Sequence, residues 1–227
     1  MRLFNQILSR LQKHYGRPSP PRITDPFQMI LHEELAYLAP DKKRDAAFDA
    51  LRDRVGLTPE AILKASPKTL LEITRVGGIH AELRAERLRE SAHLALDKFA
   101  GDLRTLRVLK QFPMIGGPGA EKILLFSKTV PVLALESNGL RVLARILFGQ
   151  EHKNYSTTYR MVRDAVKDDT GTDFARLIAA HQLLRRHGQQ LCKTTHPACP
   201  ACPVAPLCAF VVGRGPRPAA GPPAGSS

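Results

Sequence analysis

Four cysteines lie within one short segment near the C-terminal end, and they constrain this chain more than any other feature. They are Cys192, Cys199, Cys202 and Cys208, with the spacing C-x6-C-x2-C-x5-C. Disulfides normally spread across the fold of a small secreted chain, so this clustering indicates a metal centre. Four thiolates in a proline-rich loop can surround either one zinc ion or one [4Fe–4S] cluster. Zinc sites usually pair two short knuckles across a longer gap, so the spacing slightly favours iron–sulfur.

A glycine-rich turn between predicted helices marks the middle of the chain. The segment 102–148 is predicted to form three helices, and the first turn between them carries the sequence FPMIGGPG at 112–119. Such a turn exposes backbone N–H groups at a helix N-terminus, where the helix dipole favours an anion. In a basic chain that anion can be a DNA phosphate. From the turn alone, a plain corner between two helices is the better interpretation.

The charge of the chain favours a polyanionic partner. Lys and Arg number 34 against 21 acidic residues, which gives a formal charge of +13 and a pI near 10.0. Charge alone does not distinguish DNA, RNA and an anionic membrane. No apolar run is long enough to span a membrane, and the first residues predict an amphipathic helix rather than a signal peptide. We therefore expect a soluble intracellular protein.

Helical periodicity and helix-start signals run through most of the chain, and no segment has a convincing strand pattern. Three polar residues are each followed by proline, which predicts helix starts at Asp25, Thr58 and Ser66. The fold class is therefore predicted to be all-α. Longer helices are predicted at 2–15, 26–38, 41–55, 80–99, 157–167 and 172–187. The proline- and glycine-rich segment 211–227 is predicted to be a disordered tail.

The cysteine spacing closely resembles the cluster loop of endonuclease III and its adenine-glycosylase relatives, which are helix-hairpin-helix DNA glycosylases. His181 and Gly188 precede the loop as they do in that family. The sequence Phe112-Pro113-Met114-Ile115-Gly116 resembles the family's hydrophobic-Pro-Gly-hydrophobic-Gly hairpin. Asp25-Pro26-Phe27 resembles the start of its helical barrel. The resemblance extends over residues 3–210.

This resemblance implies two α-helical lobes with a DNA-binding cleft between them. One would be a six-helix barrel at 21–130 that contains the hairpin, and the other would combine 1–20 with 131–210. The four cysteines would hold a [4Fe–4S] cluster that is mainly structural and shapes a basic loop carrying Lys193 against DNA. The implied partner is damaged double-stranded DNA, bound by a monomeric protein in the cytoplasm with the nucleoid.

The family's catalytic residues map onto this chain with changes. Its aspartate follows the hairpin, and the matching position here is Glu136, which keeps the charge on a longer arm. Its lysine nucleophile, used for strand cleavage at abasic sites, matches Pro118, which has no amine. Lys122, about one helical turn later, is a possible substitute, but we expect it to be a surface lysine.

The expected DNA contacts also depart from the family pattern. Met114 replaces the first hairpin glycine, and Asn138 replaces the histidine after the catalytic aspartate, where Ser137 or Asn138 is expected to cap the next helix. Leu38 occupies the position of a glutamine that related enzymes insert into the duplex, and it could act as an apolar wedge. The candidate DNA-binding residues are Leu38, Ile115, Gly116, Gly117, Gly119 and Lys193.

Three hypotheses follow from the sequence. The first is a monofunctional DNA glycosylase that uses Glu136 as its carboxylate and water as its nucleophile. The second is a catalytically silent DNA-binding protein on the same fold, since several function-linked residue types are replaced. A third, an RNA-binding or zinc-stabilised interaction module, has less support because the cysteine spacing and the hairpin both match the glycosylase plan.

Overall fold

The computed structural model describes residues 2–213. Every regular element in this range is helical, which confirms the predicted all-α class. The extended pairing found there is an isolated bridge between Tyr37 and Gly78. Within the same residues, no helix combines the length and the apolar character needed to cross a membrane.

The three predicted cap-then-proline signals start helices in the structure. The Asp25 side chain accepts a hydrogen bond from the Gln28 N–H at 2.9 Å. Thr58 and Ser66 make the corresponding bonds three residues ahead, at 3.2 and 3.1 Å. A cap satisfies an N–H group that the first helical turn leaves without a partner, and proline there forfeits no bond.

The chain divides into two compact units. The hairpin unit comprises residues 21–130, and the cysteine unit comprises residues 1–20 together with the chain from 131 onward. Proline stands at both crossings, as Pro20-Pro21 and as Pro131. A residue before proline is driven toward extended backbone, so neither crossing can lie inside a helix.

The hairpin unit packs its helices around a single apolar core that includes Ile30, Leu51, Leu70 and Leu88, each fully buried. It contains seven α-helical segments where the resemblance implied a six-helix barrel, and the shortest of them has four residues. The helices are α2 (Pro26–Glu34), α3 (Asp41–Arg54), α4 (Pro59–Lys64), α5 (Pro67–Val76), α6 (Ala81–His93), α7 (Leu106–Leu109) and α8 (Gly117–Phe126).

The cysteine unit joins the two ends of the described chain. Helix α1 buries Phe4, Ile7 and Leu11 and packs against two helices of the C-terminal half. The α-helices of this unit are α1 (Leu3–Tyr15), α9 (Ser137–Phe148), α10 (Tyr155–Thr170), α11 (Phe174–Gln190) and α12 (Ala209–Val212).

The predicted start of the disordered tail at 211 is wrong. Val211 and Val212 belong to α12, where Phe210 packs its ring against the Arg145 guanidinium. The rest of the predicted tail, 214–227, lies outside the described residues.

Several predicted helix ends differ from the structure: α10 and α11 each run three residues further than predicted, and α2 and α6 differ as follows. Helix α2 ends at Glu34 rather than at 38, and Leu38 adopts a left-handed φ of 49°. The helix predicted at 80–99 is α-helical to His93 and continues as a π-helix over Leu94–Lys98. The end of α2 coincides with two long-range contacts, the Tyr37–Gly78 bridge and the hydrogen bond from Arg84 to the Leu35 carbonyl, which local periodicity does not report.

The core of the hairpin unit contains a buried carboxyl group. Glu34 is fully buried, and its Oε1 accepts a hydrogen bond from the Ser91 hydroxyl at 2.5 Å. Its Oε2 has no partner among the described residues. Burial raises the pKa of Glu34 well above its usual value. The folded state therefore holds a proton here that the unfolded chain releases.

We expect Glu34→Gln to flatten the pH dependence of stability. The raised pKa means that the stabilising contribution is complete below the unfolded pKa near 4.5 and is lost as pH rises toward the folded pKa. The loss approaches about 1.4 kcal/mol per pH unit in that window. Urea unfolding of wild type and variant at several pH values measures the slope. Glu86→Gln, an exposed position on α6, is the control, and equal slopes for wild type and Glu34→Gln would contradict the assignment.

Candidate functional site

The carboxylate of Glu136 is fixed at the start of α9. It is the N-cap residue, and its Oε1 accepts from the Gly139 N–H at 2.6 Å. Its Oε2 accepts from the Asn138 amide at 2.7 Å. The expectation that Ser137 or Asn138 caps this helix is therefore wrong. The cap places a half-buried carboxylate at the positive end of the helix dipole.

A hydrogen-bonded path leads from this carboxylate to the cysteine loop. Arg141 donates to the Asn138 side-chain oxygen at 2.7 Å and to the Gly188 carbonyl at 2.9 Å. Its Nε donates to the Cys192 carbonyl at 2.8 Å. The guanidinium is almost completely buried, so its position is set by these three acceptors.

The close approach of α9 and α11 depends on one glycine. A Cβ at Gly188 would lie 2.6 Å from the Asn138 carbonyl oxygen and 2.7 Å from the Asn138 Cβ. In the same interface, the buried His181 ring places Nδ1 2.8 Å from the Ala134 carbonyl oxygen. The two positions that precede the cysteine loop in sequence therefore hold the helix that carries Glu136.

The four cysteines line one cavity of the cysteine unit, together with apolar side chains that include Val142 and Ile146. All four are free thiols. In the described part of the chain, no three or more His, Cys, Asp or Glu residues converge closely enough to hold a metal ion. A single zinc ion needs its sulfurs about 2.3 Å from one point, whereas a cubane cluster occupies the space between its thiolates.

The surroundings of the cavity disfavour ionised cysteine thiolates that are not bound to a metal. Burial raises the pKa of Cys202 to about 11, and burial likewise raises the pKa of Cys208. Without a cationic centre these groups remain protonated at neutral pH. Ligation therefore requires positive charge from the centre itself, which is the chemistry of a metal–thiolate site.

Two further side chains support the cavity wall. The His187 Nε2 lies 3.4 Å from the Cys202 sulfur, and its Nδ1 lies 2.9 Å from the Tyr15 hydroxyl. Burial lowers the pKa of His187 to about 4, so the ring is neutral at physiological pH. Since Tyr15 ends α1, this contact joins the first helix to the cysteine loop.

Arg145 shapes the loop segment that carries Lys193. It donates to the Lys193 carbonyl at 2.7 Å and to the Thr194 carbonyl at 3.1 Å. One of its nitrogens also lies 3.6 Å from the Cys192 sulfur. These contacts leave Lys193 itself exposed. Sequence reasoning missed Arg141 and Arg145, although two arginines one turn apart in an otherwise apolar helix could have indicated them.

The hairpin turn leaves its glycines open on one side. No atom lies within 4 Å of a Cβ built at Gly116 or Gly117, and at Gly119 the nearest is 3.8 Å away. The first N–H groups of α8 have no acceptor within the helix. The Ile115 side chain is instead buried in the core. Met114, which stands where the family has glycine, adopts a left-handed φ of 61°, a conformation that costs a non-glycine residue about 1 kcal/mol or more.

The predicted wedge residue Leu38 is 82% exposed. A second exposed aliphatic side chain, Ile79, lies in the connection between α5 and α6 and is 54% exposed. Sequence reasoning missed Ile79 because an isolated aliphatic residue beside two glycines carries no distinctive pattern.

The two lysine-related positions differ in their surroundings. Pro118 lies in the first turn of α8 and supplies no amine. Lys122 is not the surface lysine that was expected, because its side chain is only 22% exposed and pairs with Glu33. Arg44 approaches the other oxygen of Glu33 at 3.7 Å. Burial alone would raise the pKa of Glu33, but Lys122 and Arg44 outweigh it and hold that pKa at about 2.

No protein-family model matches the chain. The sequence is 27% identical over 186 residues to endonuclease III homolog 1, chloroplastic, from Arabidopsis thaliana. That alignment covers 80% of this chain and 48% of the relative, so the chain spans about half the length of the curated protein it matches.

Solved structures with the same fold cover nearly the whole chain. A non-covalent endonuclease III–DNA complex has a TM-score of 0.73 at 19% identity and covers 94% of this chain and 99% of that one. A thermostable thymine-DNA glycosylase has a TM-score of 0.77 at 18% identity, with coverage of 93% and 97%. H. pylori 3-methyladenine DNA glycosylase bound to 1,N6-ethenoadenine has a TM-score of 0.65 at 18% identity, with coverage of 84% and 98%.

The fold is that of the helix-hairpin-helix DNA glycosylases. Within that class, the sequence similarity confirms the predicted resemblance to endonuclease III.

We expect Gly188→Ala to lower the free energy of unfolding by about 1–3 kcal/mol, since the added methyl group must displace backbone and side-chain atoms of Asn138. Gly119→Ala is the matched control. Its Cβ would make an ordinary contact at 3.8 Å, and alanine favours a helix by about 1 kcal/mol over glycine. Chemical denaturation measures both, and a neutral Gly188→Ala would contradict the close approach of α9 and α11.

Proposed function

We propose that the chain is a monofunctional DNA glycosylase of base excision repair that removes a damaged base from double-stranded DNA. The observation that carries this proposal is the capped carboxylate of Glu136, held by Gly139 and Asn138 at the start of α9 on a DNA glycosylase fold. A glycosylase needs an anionic group at a fixed place to stabilise the oxocarbenium-like sugar. Glu136 occupies the position that the family gives to its aspartate.

The proposed reaction is a hydrolysis. The bond between C1′ of the sugar and the base nitrogen breaks, and its electron pair leaves with the base, which takes up a proton. Water adds to C1′ from the opposite side and transfers a proton to a general base, for which Glu136 is the candidate. The products are the free base and an abasic site, and the base must first leave the stack.

The surroundings of Lys122 support a monofunctional enzyme. Cleavage of an abasic strand by a lysine requires a neutral amine that attacks C1′. Pro118 offers none, and the Lys122 side chain is held in an ion pair with the Glu33 carboxylate. The pKa of Glu33 is held at about 2, so this carboxylate is ionised near neutral pH and maintains the pair. Abasic-site lyase activity is accordingly weak or absent.

Duplex DNA is the partner that the charge and the hairpin favour. The chain carries a net charge of +13, which predicts salt-sensitive binding. The candidate contacts are the hairpin glycines at 116, 117 and 119, the exposed Lys193 and the exposed Leu38. An endonuclease III with this fold has been solved as a DNA complex. We expect a monomer that acts in the cytoplasm with the nucleoid.

The four cysteines are proposed to hold a [4Fe–4S] cluster. The cavity that they line brings four thiol sulfurs to one place, which is the donor set of such a cluster. The cluster would supply structural rigidity to the loop over 192–208. Arg145, whose carbonyl contacts fix Lys193 and Thr194, would hold the same loop from α9.

We expect purified protein to contain four iron and four sulfide per chain and to show the broad visible absorption of iron–sulfur charge transfer. Cys202→Ser should lose the cluster and lower the thermal midpoint, because the apo loop keeps a cavity where the cluster would pack. Metal analysis and thermal denaturation test both. A colourless wild-type protein with stoichiometric zinc would exclude the iron–sulfur assignment.

A specific observation favours a second function, a catalytically silent DNA-binding protein. Both oxygens of Glu136 already accept hydrogen bonds, from Gly139 and from Asn138. Compared with aspartate, the extra methylene also moves the carboxylate, and misplacement of about 1 Å can cost roughly a hundredfold in rate. In this case the carboxylate would serve α9 as a cap only.

We expect Glu136→Gln to abolish base release and to leave duplex affinity nearly unchanged. Glutamine keeps an oxygen that can accept from the Gly139 N–H, so the helix cap survives, while the charge and the acceptor for the Asn138 amide are removed. The assay is base release from duplexes that carry oxidised pyrimidines, uracil, alkylated purines or mismatches, read with and without alkali.

Glu136→Asp is the matched control, because aspartate keeps the charge and caps helices well. Alkali-dependent cleavage that is lost in Glu136→Gln and retained in Glu136→Asp supports the glycosylase. Equal turnover by Glu136→Gln excludes Glu136 as the catalytic carboxylate. No cleavage of any substrate by DNA-binding wild-type protein favours the silent alternative.

A further inference from the structure

One side of helix α10 carries a row of aromatic and cationic side chains. Tyr155, Tyr159, Arg163 and Lys167 recur at every fourth position, so they follow one another along the same side of the helix at intervals of about 6 Å. The rings of Tyr155 and Tyr159 are stacked, with their centroids 6.1 Å apart and an angle of 28° between their planes. The Arg163 guanidinium lies over the Tyr159 ring, 5.9 Å from its centroid. These four residues are called the α10 row.

The α10 row lies beside the buried side of its helix rather than on it. The buried residues of α10 are Thr158, Val162 and Val166, which also recur at every fourth position. The α10 row is displaced from them by one residue, which is about 100° around the helix axis. Tyr155 is 45% exposed, Lys167 is exposed, and the two residues between them are half-buried. Packing therefore holds the helix in place and leaves the row accessible.

The first turn of α10 has a fixed position. Asn154 caps the helix, and its side-chain oxygen accepts from the Thr157 N–H at 2.9 Å. The hydroxyl of the buried Thr158 accepts from the His152 N–H at 3.0 Å and lies 3.1 Å from the His152 carbonyl oxygen. These bonds enclose Tyr155, the first helical residue. A ligand that binds its ring therefore has little backbone to order, which lowers the entropic cost of binding.

The charge of the α10 row is positive. Its two charged members, Arg163 and Lys167, are both cations. Asp164 and Asp168 lie about 100° further around the axis, on an outer side that they share with Arg160. The row itself therefore remains cationic, in a chain whose net charge is +13. Rings with hydroxyl groups and cations, without aliphatic side chains, suit a polyanion with flat apolar groups better than they suit an apolar protein surface.

We propose that the α10 row is a binding site for single-stranded DNA, in which unpaired bases stack on the two tyrosine rings and phosphates lie beside Arg163 and Lys167. Bases of a duplex are already stacked on their neighbours, whereas those of a single strand can stack on protein side chains. Basic surfaces that carry aromatic rings bind single strands in this way, with little preference for sequence. The inference goes beyond the proposed function and does not depend on it, since it requires neither Glu136 nor a duplex.

The first test measures affinity for a single strand. The probe is a short fluorescently labelled oligothymidine, which forms no internal base pairs, and binding is followed by anisotropy. We expect the double variant Tyr155→Ala with Tyr159→Ala to bind at least about tenfold more weakly than wild type, because stacking of one base is worth on the order of 1–3 kcal/mol and about 1.4 kcal/mol is tenfold. Unchanged affinity in this variant would overturn the inference.

Two controls separate the α10 row from the rest of the protein. Met161→Ala removes another exposed side chain of α10, 38% exposed and outside the row, and should bind the oligothymidine as wild type does. The affinity of the double alanine variant for an undamaged duplex should equal that of wild type. A parallel loss of duplex affinity would show a general defect and overturn the assignment to single strands. Tighter binding of oligouridine than of oligothymidine would overturn the assignment to DNA.

A spectroscopic measurement reports stacking directly. The chain has four tyrosines and no tryptophan, so its ultraviolet emission comes from tyrosine, and two of the four belong to the α10 row. We expect saturating oligothymidine to quench part of this emission in wild type. The double variant Tyr155→Phe with Tyr159→Phe keeps both rings, so it should bind with wild-type affinity and lose the quenching. Quenching that persists in the phenylalanine variant would place the stacked base elsewhere and overturn the inference.

The charged half of the row is tested by salt dependence. Each phosphate contact to a single strand contributes about 0.7 to the slope of log affinity against log salt concentration. Lys167→Ala should lower that slope by about this amount, and an unchanged slope would contradict the phosphate contact. Wild type that binds duplex but no single strand would overturn this inference and leave the proposed function standing. Single-strand binding that depends on the two rings, in a protein that releases no base from any duplex, would support this inference while the proposed function fails.

Discussion

Buried guanidinium groups that donate to loop carbonyls are the interaction on which both candidate sites depend. Arg84, Arg141 and Arg145 are all less than 9% exposed, and most of their acceptors are backbone oxygens. A buried carbonyl outside regular structure needs a donor, and a buried guanidinium offers five. Each arginine therefore gives an irregular segment one defined position. The hairpin unit has one such arginine for the loops that carry Leu38 and Ile79, and the cysteine unit has two for its cysteine loop.

Helix α9 contacts both the proposed catalytic carboxylate and the cysteine loop. Its first turn holds Glu136, and its middle carries the two arginines that bind the cysteine loop. Because α9 is one continuous helix, it fixes the position of the cysteine loop relative to the Glu136 carboxylate. The tight contact between Gly188 of α11 and Asn138 of α9 fixes the two helices relative to each other.

The sequence predicted features that depend on neighbouring residues. The caps at Asp25, Thr58 and Ser66 are local hydrogen bonds to residues three positions ahead, and each appears as expected. The all-α class follows from the same local periodicity. The prediction of the particular fold came from the resemblance of the cysteine spacing and the hairpin to those of the helix-hairpin-helix DNA glycosylases.

Features set by distant residues could not be predicted in this way. Helix α2 ends early because its continuation pairs with Gly78 and the carbonyl of its C-cap residue Leu35 accepts a hydrogen bond from Arg84, which lies 49 residues further along the chain. Lys122 is covered rather than exposed because Glu33 of another helix lies beside it. The expected cap of α9 was wrong by one or two residues, since a glutamate side chain can reach the same N–H group as serine or asparagine.

The cysteine unit is built from two separate stretches of the chain, and this constrains the order in which the protein folds during synthesis. Helix α1 leaves the ribosome before α10 and α11, and these later helices pack against it and cover Phe4, Ile7 and Leu11. Residues 21–130 contain a complete core and can fold while the rest of the chain is still being made. The first helix must therefore wait, with its apolar stripe uncovered, until almost the last described helix has emerged. Until then, this stripe is an exposed apolar surface of the kind that chaperones generally recognise.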